Sequence, residues 1–235
     1  MGLIGSELVK LLQQDKNNEV IIADIKKGDD LRNLSVCQRL CTDVDEIFHL
    51  LGVTGSPRKT KEKPIDFMTT MLLGDTNMIY AAQIEGVKKF LYTSSIAVLN
   101  PQTDKYPAWA KQTAETYIEA MKIQYPNGTK YFVNRPANVY GYDPKIGQED
   151  TMVITSLMHK FFTQKEVEIY GNGNQIRDFI YAKDVARAMI TIMEKESNKP
   201  INVCSGTENT IKEVVDYISS EFPDVKYYYN NKYAG

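Results

Sequence analysis

Apolar positions recur along this chain in two rhythms, short continuous runs and helical spacing. Leu8, Leu11 and Leu12 lie on one face of a helix predicted over residues 5–14. A compact apolar run that ends in an acid, EVIIAD, predicts a buried strand over 19–24. The runs at 45–51, 88–93, 130–134, 167–170 and 201–204 predict further strands. Helical spacing returns over 66–85, 107–124, 151–162, 184–195 and 210–222. Pro107 suits the first turn of its helix, and Asp184 and Thr210 suit N-caps. Strands alternating with helices imply βαβ units. The predicted fold class is therefore α/β, a doubly wound sheet of mostly parallel strands covered on both faces.

Composition narrows this only a little. The chain has 235 residues, 43% hydrophobic and 25% charged, with a formal net charge of −2. These values are ordinary for a globular protein and exclude a disordered or disulfide-scaffold class. The near-neutral balance gives no footprint for nucleic acid or anionic membranes. No run approaches a membrane span, and the first residues do not read as a leader, so the expected location is cytoplasmic. Cys37 and Cys41 are spaced to share a helix face, but with only Cys204 and two histidines in addition, no metal site is expected. The basic stretch at 56–63 reads as a solvated loop.

The first chemical signal is the order Gly2, Gly5, helix, strand, Asp24. Glycines spaced this way let a backbone approach a pyrophosphate, and the helix N-terminus offers unpaired amides to it. An acid about 20 residues on accepts hydrogen bonds from ribose hydroxyls and repels a 2′-phosphate, which favours NAD over NADP.

Several stretches, in this order, resemble an extended short-chain dehydrogenase/reductase of the NAD-dependent epimerase/dehydratase family. They are GLIGSELV (2–9), DLR (30–32), FHLLG (48–52), GVKKFLYTSSIAV (86–98), WAKQTAE (109–115), RPANVYG (135–141) and YGNGNQIRDFIYAKDVARAM (170–189). The resemblance implies a Rossmann domain over 1–142, with further pieces around 177–205. It also implies a partial substrate domain from 143–176 and 206–235. It places Ser95 as the hydroxyl that bonds the reacting oxygen and Lys111 as the lysine that holds the nicotinamide ribose. The matching tyrosine belongs four residues before that lysine, where this chain has Pro107. Tyr106 is the substitute. If Pro107 is the first helical residue, Tyr106 sits at the helix mouth with its ring free to swing inward.

Further positions carry over singly. Gly2, Leu3, Ile4 and Gly5 form the phosphate turn, and Asp24 takes the ribose. Asp30 and Leu31 flank the adenine. Leu50, Leu51 and Gly52 end the strand beneath the cofactor, and Thr93, Ser94 and Ala137 also line it. The cofactor-side asparagine of the family falls on Met71. Asn138 and Arg177 face the substrate, with Arg177 on the nucleotide diphosphate, or else paired with Asp178 or Asp184.

The implied activity is transient hydride transfer on a nucleotide-activated hexose, with NAD as cofactor and 4-epimerisation the leading outcome. Ile96 and Ala97 stand where dehydratases of the family carry an acidic pair. A GDP-fucose-synthase-like epimerase-reductase and a catalytically silent nucleotide-sugar or NAD-binding protein remain as alternatives. The family commonly dimerises through the lysine-bearing helix, so a homodimer is one option. Against the family the chain reads as short at both ends, without the strand before Gly2, and weaker NAD binding and lower stability are expected from that.

Overall fold

The computed structural model describes residues 1–53, 62–102, 105–142, 146–147 and 151–230. Most of the predicted loop at 56–63 lies outside the described residues, as does the tail 231–235.

Four strands form the main sheet: β1 (Glu46–His49), β2 (Lys89–Thr93), β3 (Lys130–Pro136) and β7 (Ile201–Val203). They run in the order β1-β2-β3-β7 and every pairing is parallel. Parallel strands need long crossovers, and helices make them here. On one face lie α2 (Leu34–Cys41), α3 (Pro64–Ile84) and α4 (Lys105–Gln124). Cys37, Cys41, Met78, Ile79, Ile118 and Met121 pack there against Phe90, Tyr92 and Tyr131 of the sheet. On the other face lie α1 (Leu3–Leu12) and α6 (Ala182–Lys195), whose Leu8, Val185 and Met189 cover Leu91 and Phe132. The alternation of Phe90, Leu91 and Tyr92 between the two clusters is the two-residue period of a strand buried on both sides. The doubly wound reading therefore holds.

A third cluster is built from α5 (Val153–Thr163), β5 (Glu166–Tyr170), α7 (Ile211–Ser220) and β9 (Lys226–Asn230). β5 and β9 pair in parallel. Between this cluster and the main sheet run β4 (Asn138–Tyr140), β6 (Ile176–Tyr181) and β8 (Glu208–Thr210), with β6 paired to both others. The Asn138 side-chain amide donates to the Asp178 carbonyl at 3.1 Å and ties β4 to β6. α7 starts on the expected Thr210 cap, in a capping box with Glu213.

Three expectations change. Residues 19–24 form no strand and pair with no strand among the described residues, and Ile21 is 63% exposed. An apolar run becomes a strand only when a ladder partner lies beside it. α6 begins at Ala182 with Tyr181 as N-cap and no side-chain cap, so Asp184 sits inside the first turn and pairs with Arg187 instead. β1 stops at His49, two residues before the predicted end, so Leu50, Leu51 and Gly52 follow the strand and do not belong to it. The strands β4, β6, β8 and β9 were not legible as such.

Candidate active site

Lys111 occupies the carboxyl ends of the parallel strands. It is buried on the inner face of α4, in line with Ala108, Ala114, Glu115 and Ile118. Its Nζ donates to the Leu51 carbonyl at 2.8 Å and to the Thr93 carbonyl at 2.9 Å. Two of its three donors are thereby fixed between the end of β1 and the end of β2. α3 can come close to Leu51 because Gly74 has no side chain; a Cβ there would run into the Leu51 side chain.

Beneath the lysine lies a polar group that the sequence did not announce. Asp75, on α3, is fully buried. Its Oδ1 accepts from His49 Nε2 at 2.8 Å and its Oδ2 from the Tyr92 hydroxyl at 2.6 Å. Lys111 Nζ is 3.7 Å from Oδ2 and 4.6 Å from the centre of the Tyr92 ring. Burial would push the Asp75 carboxyl up, but the Lys111 ammonium, His49 and Tyr92 together hold it below the ordinary value. Burial draws the Lys111 ammonium below the usual lysine range, against the pull of Asp75 and Glu115. Burial, with Asp75 beside it, keeps the Tyr92 hydroxyl protonated far above its usual range. One signal for this cluster was present: Asp75 falls on the core-facing period of α3, with Phe67, Met71, Met78 and Ala82. Met71, at the position of the expected asparagine, is buried and offers no amide.

Ser95 follows the end of β2, two residues after the Thr93 carbonyl that Lys111 holds. It caps the 3-10 turn Ile96–Leu99, its Oγ accepting from the Ala97 amide at 3.2 Å, so its own proton is free to donate. Ser94 Oγ and Thr93 Oγ1 are buried without a hydrogen-bond partner. Both amide atoms of fully buried Asn134 are likewise unpartnered, and Asn134 pairs in register with Thr93.

Tyr106 differs from expectation. α4 begins at Lys105, two residues before Pro107, so Tyr106 is helical. Proline is tolerated there because the first amides of a helix have no partner within it. On that helix Tyr106 is turned about 140° from Lys111, at about 100° per residue. The structure fixes Lys111 on the Thr93 carbonyl, two residues before Ser95, but does not put Tyr106 on the same helical face as the lysine.

The dinucleotide side is assembled around α1. Gly2 is its N-cap with no side-chain cap, and the space around Gly2 and Gly5 is open. The Asp24 carboxylate lies beside this end of α1, pairing with the Met1 ammonium at 2.7 Å and accepting from the Lys26 amide at 2.9 Å. These two contacts hold its carboxyl below the usual range. Leu3 and Ile4 pack with Leu50 and Ala137 on the cluster of the α1 face, and the Ala137 amide donates to the Val203 carbonyl. Leu31 packs on the opposite face, against the cluster holding Cys37, and Asp30 is held in a fork by Arg32. Arg177 is exposed and donates to its neighbour's carbonyl at 2.8 Å. Asp178 is engaged by Ser205 and Gly206 and Asp184 by Arg187, so neither proposed ion pair of Arg177 forms.

These residues fit a nicotinamide dinucleotide: an open helix N-terminus with an acid beside it, and a lysine with one donor unspent at the strand ends. Fold and site together define a dinucleotide-dependent enzyme of the Rossmann type.

The chain belongs to the NAD dependent epimerase/dehydratase family, whose family model matches residues 1–204. It is 28% identical to UDP-glucuronic acid decarboxylase 6 of Arabidopsis thaliana, across 96% of this chain and 73% of that protein. It is 27% identical to putative GDP-L-fucose synthase 2 of the same organism, across 92% and 73%. Among solved structures it is similar to UDP-N-acetylglucosamine 4-epimerase of Methanobrevibacter ruminantium, with a TM-score of 0.80 and 25% identity over 98% of this chain and 83% of that one. No helix among the described residues is long and apolar enough to cross a membrane.

Proposed function

We propose that this protein is an NAD-dependent enzyme that oxidises and re-reduces a nucleotide-activated hexose, with 4-epimerisation as the outcome. The observation that carries this reading is Lys111, fixed by the Leu51 and Thr93 carbonyls at the strand ends with one N–H left to give. Bound NAD supplies the hydride acceptor and, on return, the donor. Lys111 holds a ribose hydroxyl with its third donor, and its charge favours the oxyanion of a sugar hydroxyl losing its proton. The Ser95 hydroxyl donates a hydrogen bond to that oxygen and keeps its proton. Tyr106 is the proton carrier, which requires the first turn of α4 to open so that the ring reaches the sugar. Arg177, without an acidic partner among the described residues, clasps the diphosphate with a planar fork. Asn138 orients the hexose, and the third apolar cluster with the strands leading to it forms the substrate domain. Asp24 favours NAD over the phosphorylated cofactor.

The GDP-L-fucose synthases among the relatives support a second reading, an epimerase-reductase on a GDP-sugar. A cytoplasmic homodimer seated on the α3–α4 face, where Leu73 and Trp109 are exposed, accords with either reading.

The test is absorbance at the nicotinamide band with a panel of UDP-, GDP- and dTDP-hexoses, with products resolved by chromatography. Epimer formation without net NADH change supports the first reading, and net consumption of reduced cofactor supports the second. Binding of a sugar nucleotide without turnover rejects both in favour of a silent binding protein. Lys111→Ala is expected to weaken NAD binding and abolish turnover. Tyr106→Phe is expected to slow turnover about 10²–10⁴-fold; a rate within a few fold of the parent removes Tyr106 from the mechanism.

A further inference from the structure

Resting on the reading of Lys111 as the ribose-holding lysine, we propose that Asp75 is its positioning residue, and that the Tyr92 hydroxyl acts as the spacer that keeps the two apart. The geometry is specific. An ionised carboxylate accepts only. Oδ1 of Asp75 accepts from His49 Nε2, and the short 2.6 Å contact on Oδ2 is taken by the Tyr92 hydroxyl, whose ring lies against Lys111. At 3.7 Å the Lys111 ammonium feels the full charge of Asp75 without being bonded to it. The ammonium therefore stays with the two backbone carbonyls, and its third N–H is not spent on a hydrogen bond to Asp75. If Oδ2 were unoccupied, the lysine would close on it as a direct ion pair and withdraw that donor.

Charged and titratable groups face Lys111 from every packed element: His49 on β1, Asp75 on α3, Tyr92 on β2 and Glu115 on α4 itself. Glu115 is held in a two-pronged ion pair by Arg135 of β3, which offsets its charge. Asp75 is thus the carboxylate left to balance the buried lysine. His49 is stacked on Tyr92 with ring centres 5.9 Å apart, which fixes both donors on Asp75.

Two substitutions in the 235-residue chain separate this from a purely structural role. The readout is the titration of Lys111 by NMR of isotope-labelled lysine, its signal assigned by loss in Lys111→Met. Asp75→Asn removes the balancing charge and should lower the Lys111 midpoint by about one pH unit or more. Tyr92→Phe frees Oδ2 and should raise the midpoint. Both should weaken NAD binding measured by calorimetry, Asp75→Asn most at high pH, where its Lys111 is neutral. A role in packing alone would lower the melting temperature in both variants and leave both midpoints in place, which would overturn the proposal. Should Asp75→Asn fail to fold, Tyr92→Phe decides by itself: an unchanged or lowered midpoint overturns the proposal. If the parent chain binds no NAD, the functional reading fails, while the two midpoints still decide the role of Asp75.

Discussion

Lys111 and the two buried cysteines show how one environment assigns opposite roles. Burial works against charge at all three, but Lys111 has Asp75, while the charges that act on Cys37 and Cys41, Asp30 and Glu85, are themselves negative and oppose a thiolate. Burial pushes the Cys37 thiol up to about 11 and the Cys41 thiol to about 12. Both stay protonated and inert near neutrality. A thiol reagent should therefore modify partly exposed Cys204 first and reach Cys37 and Cys41 only on unfolding. Comparing labelling of the native and denatured chain by mass spectrometry checks this. The sign for stability follows from linkage. In the unfolded chain these thiols ionise near the reference value of 9.0, so the unfolded state binds fewer protons above it. Their contribution is complete below about pH 9 and is lost as pH rises towards 11–12. Replacing both by Ala should flatten the alkaline limb of a denaturation profile. Among site residues, Ser95 and Lys111 were legible because each follows a recognisable run. Asp75 was not: it shares the core-facing period of α3 with Phe67, Met71 and Met78, but nothing local says which distant groups balance a buried acid.

At the scale of elements, periodicity located the long helices to within two residues, because their apolar faces repeat over many turns. α3 and α4 are examples, predicted over 66–85 and 107–124 and found at Pro64–Ile84 and Lys105–Gln124. The short strands β4, β6 and β8 escaped because three to six residues carry too little pattern. The run 19–24 erred in the other direction: its residues are those of a buried strand, but its amides have no ladder. The expected consequence is measurable. Amide hydrogen exchange should be orders of magnitude faster at 19–24 than in β2 and β3, which are paired on both edges. Protection at 19–24 equal to that of β2 would mean the segment is paired in solution.

At the scale of the whole molecule, the apolar interior is divided. The clusters on the two faces of the main sheet share β2 and β3, while the third cluster gathers α5, α7, β5 and β9. Met189 is buried in the cluster on the α1 face and Ile218 in the third. Truncation to Ala should cost about 2–5 kcal/mol at either site. If the third cluster forms a substrate domain, Ile218→Ala should lower only a first, local transition in thermal unfolding and spare NAD binding. Met189→Ala should lower the main transition. A single transition shifted equally by both would show one cooperative unit. The proposed reaction belongs to this scale as well, since Arg177 and Asn138 come from strands that join the main sheet to the third cluster.

The sequence by itself determined the α/β class, the long helices, the strands of the main sheet and the glycine–helix–acid signature, and it singled out Ser95 and Lys111 as candidates. Each of these is written locally, in periodicity or in a short motif. Only the tertiary structure decided that, among the described residues, 19–24 has no strand partner and Arg177 no acidic one, and that Tyr106 is helical and turned from the lysine. It also decided that His49, Asp75 and Tyr92 meet beneath Lys111. Those outcomes depend on which strands lie side by side and which helix face is buried. Hydrogen bonds and charge pairs between residues far apart in the chain exist only once that packing is fixed.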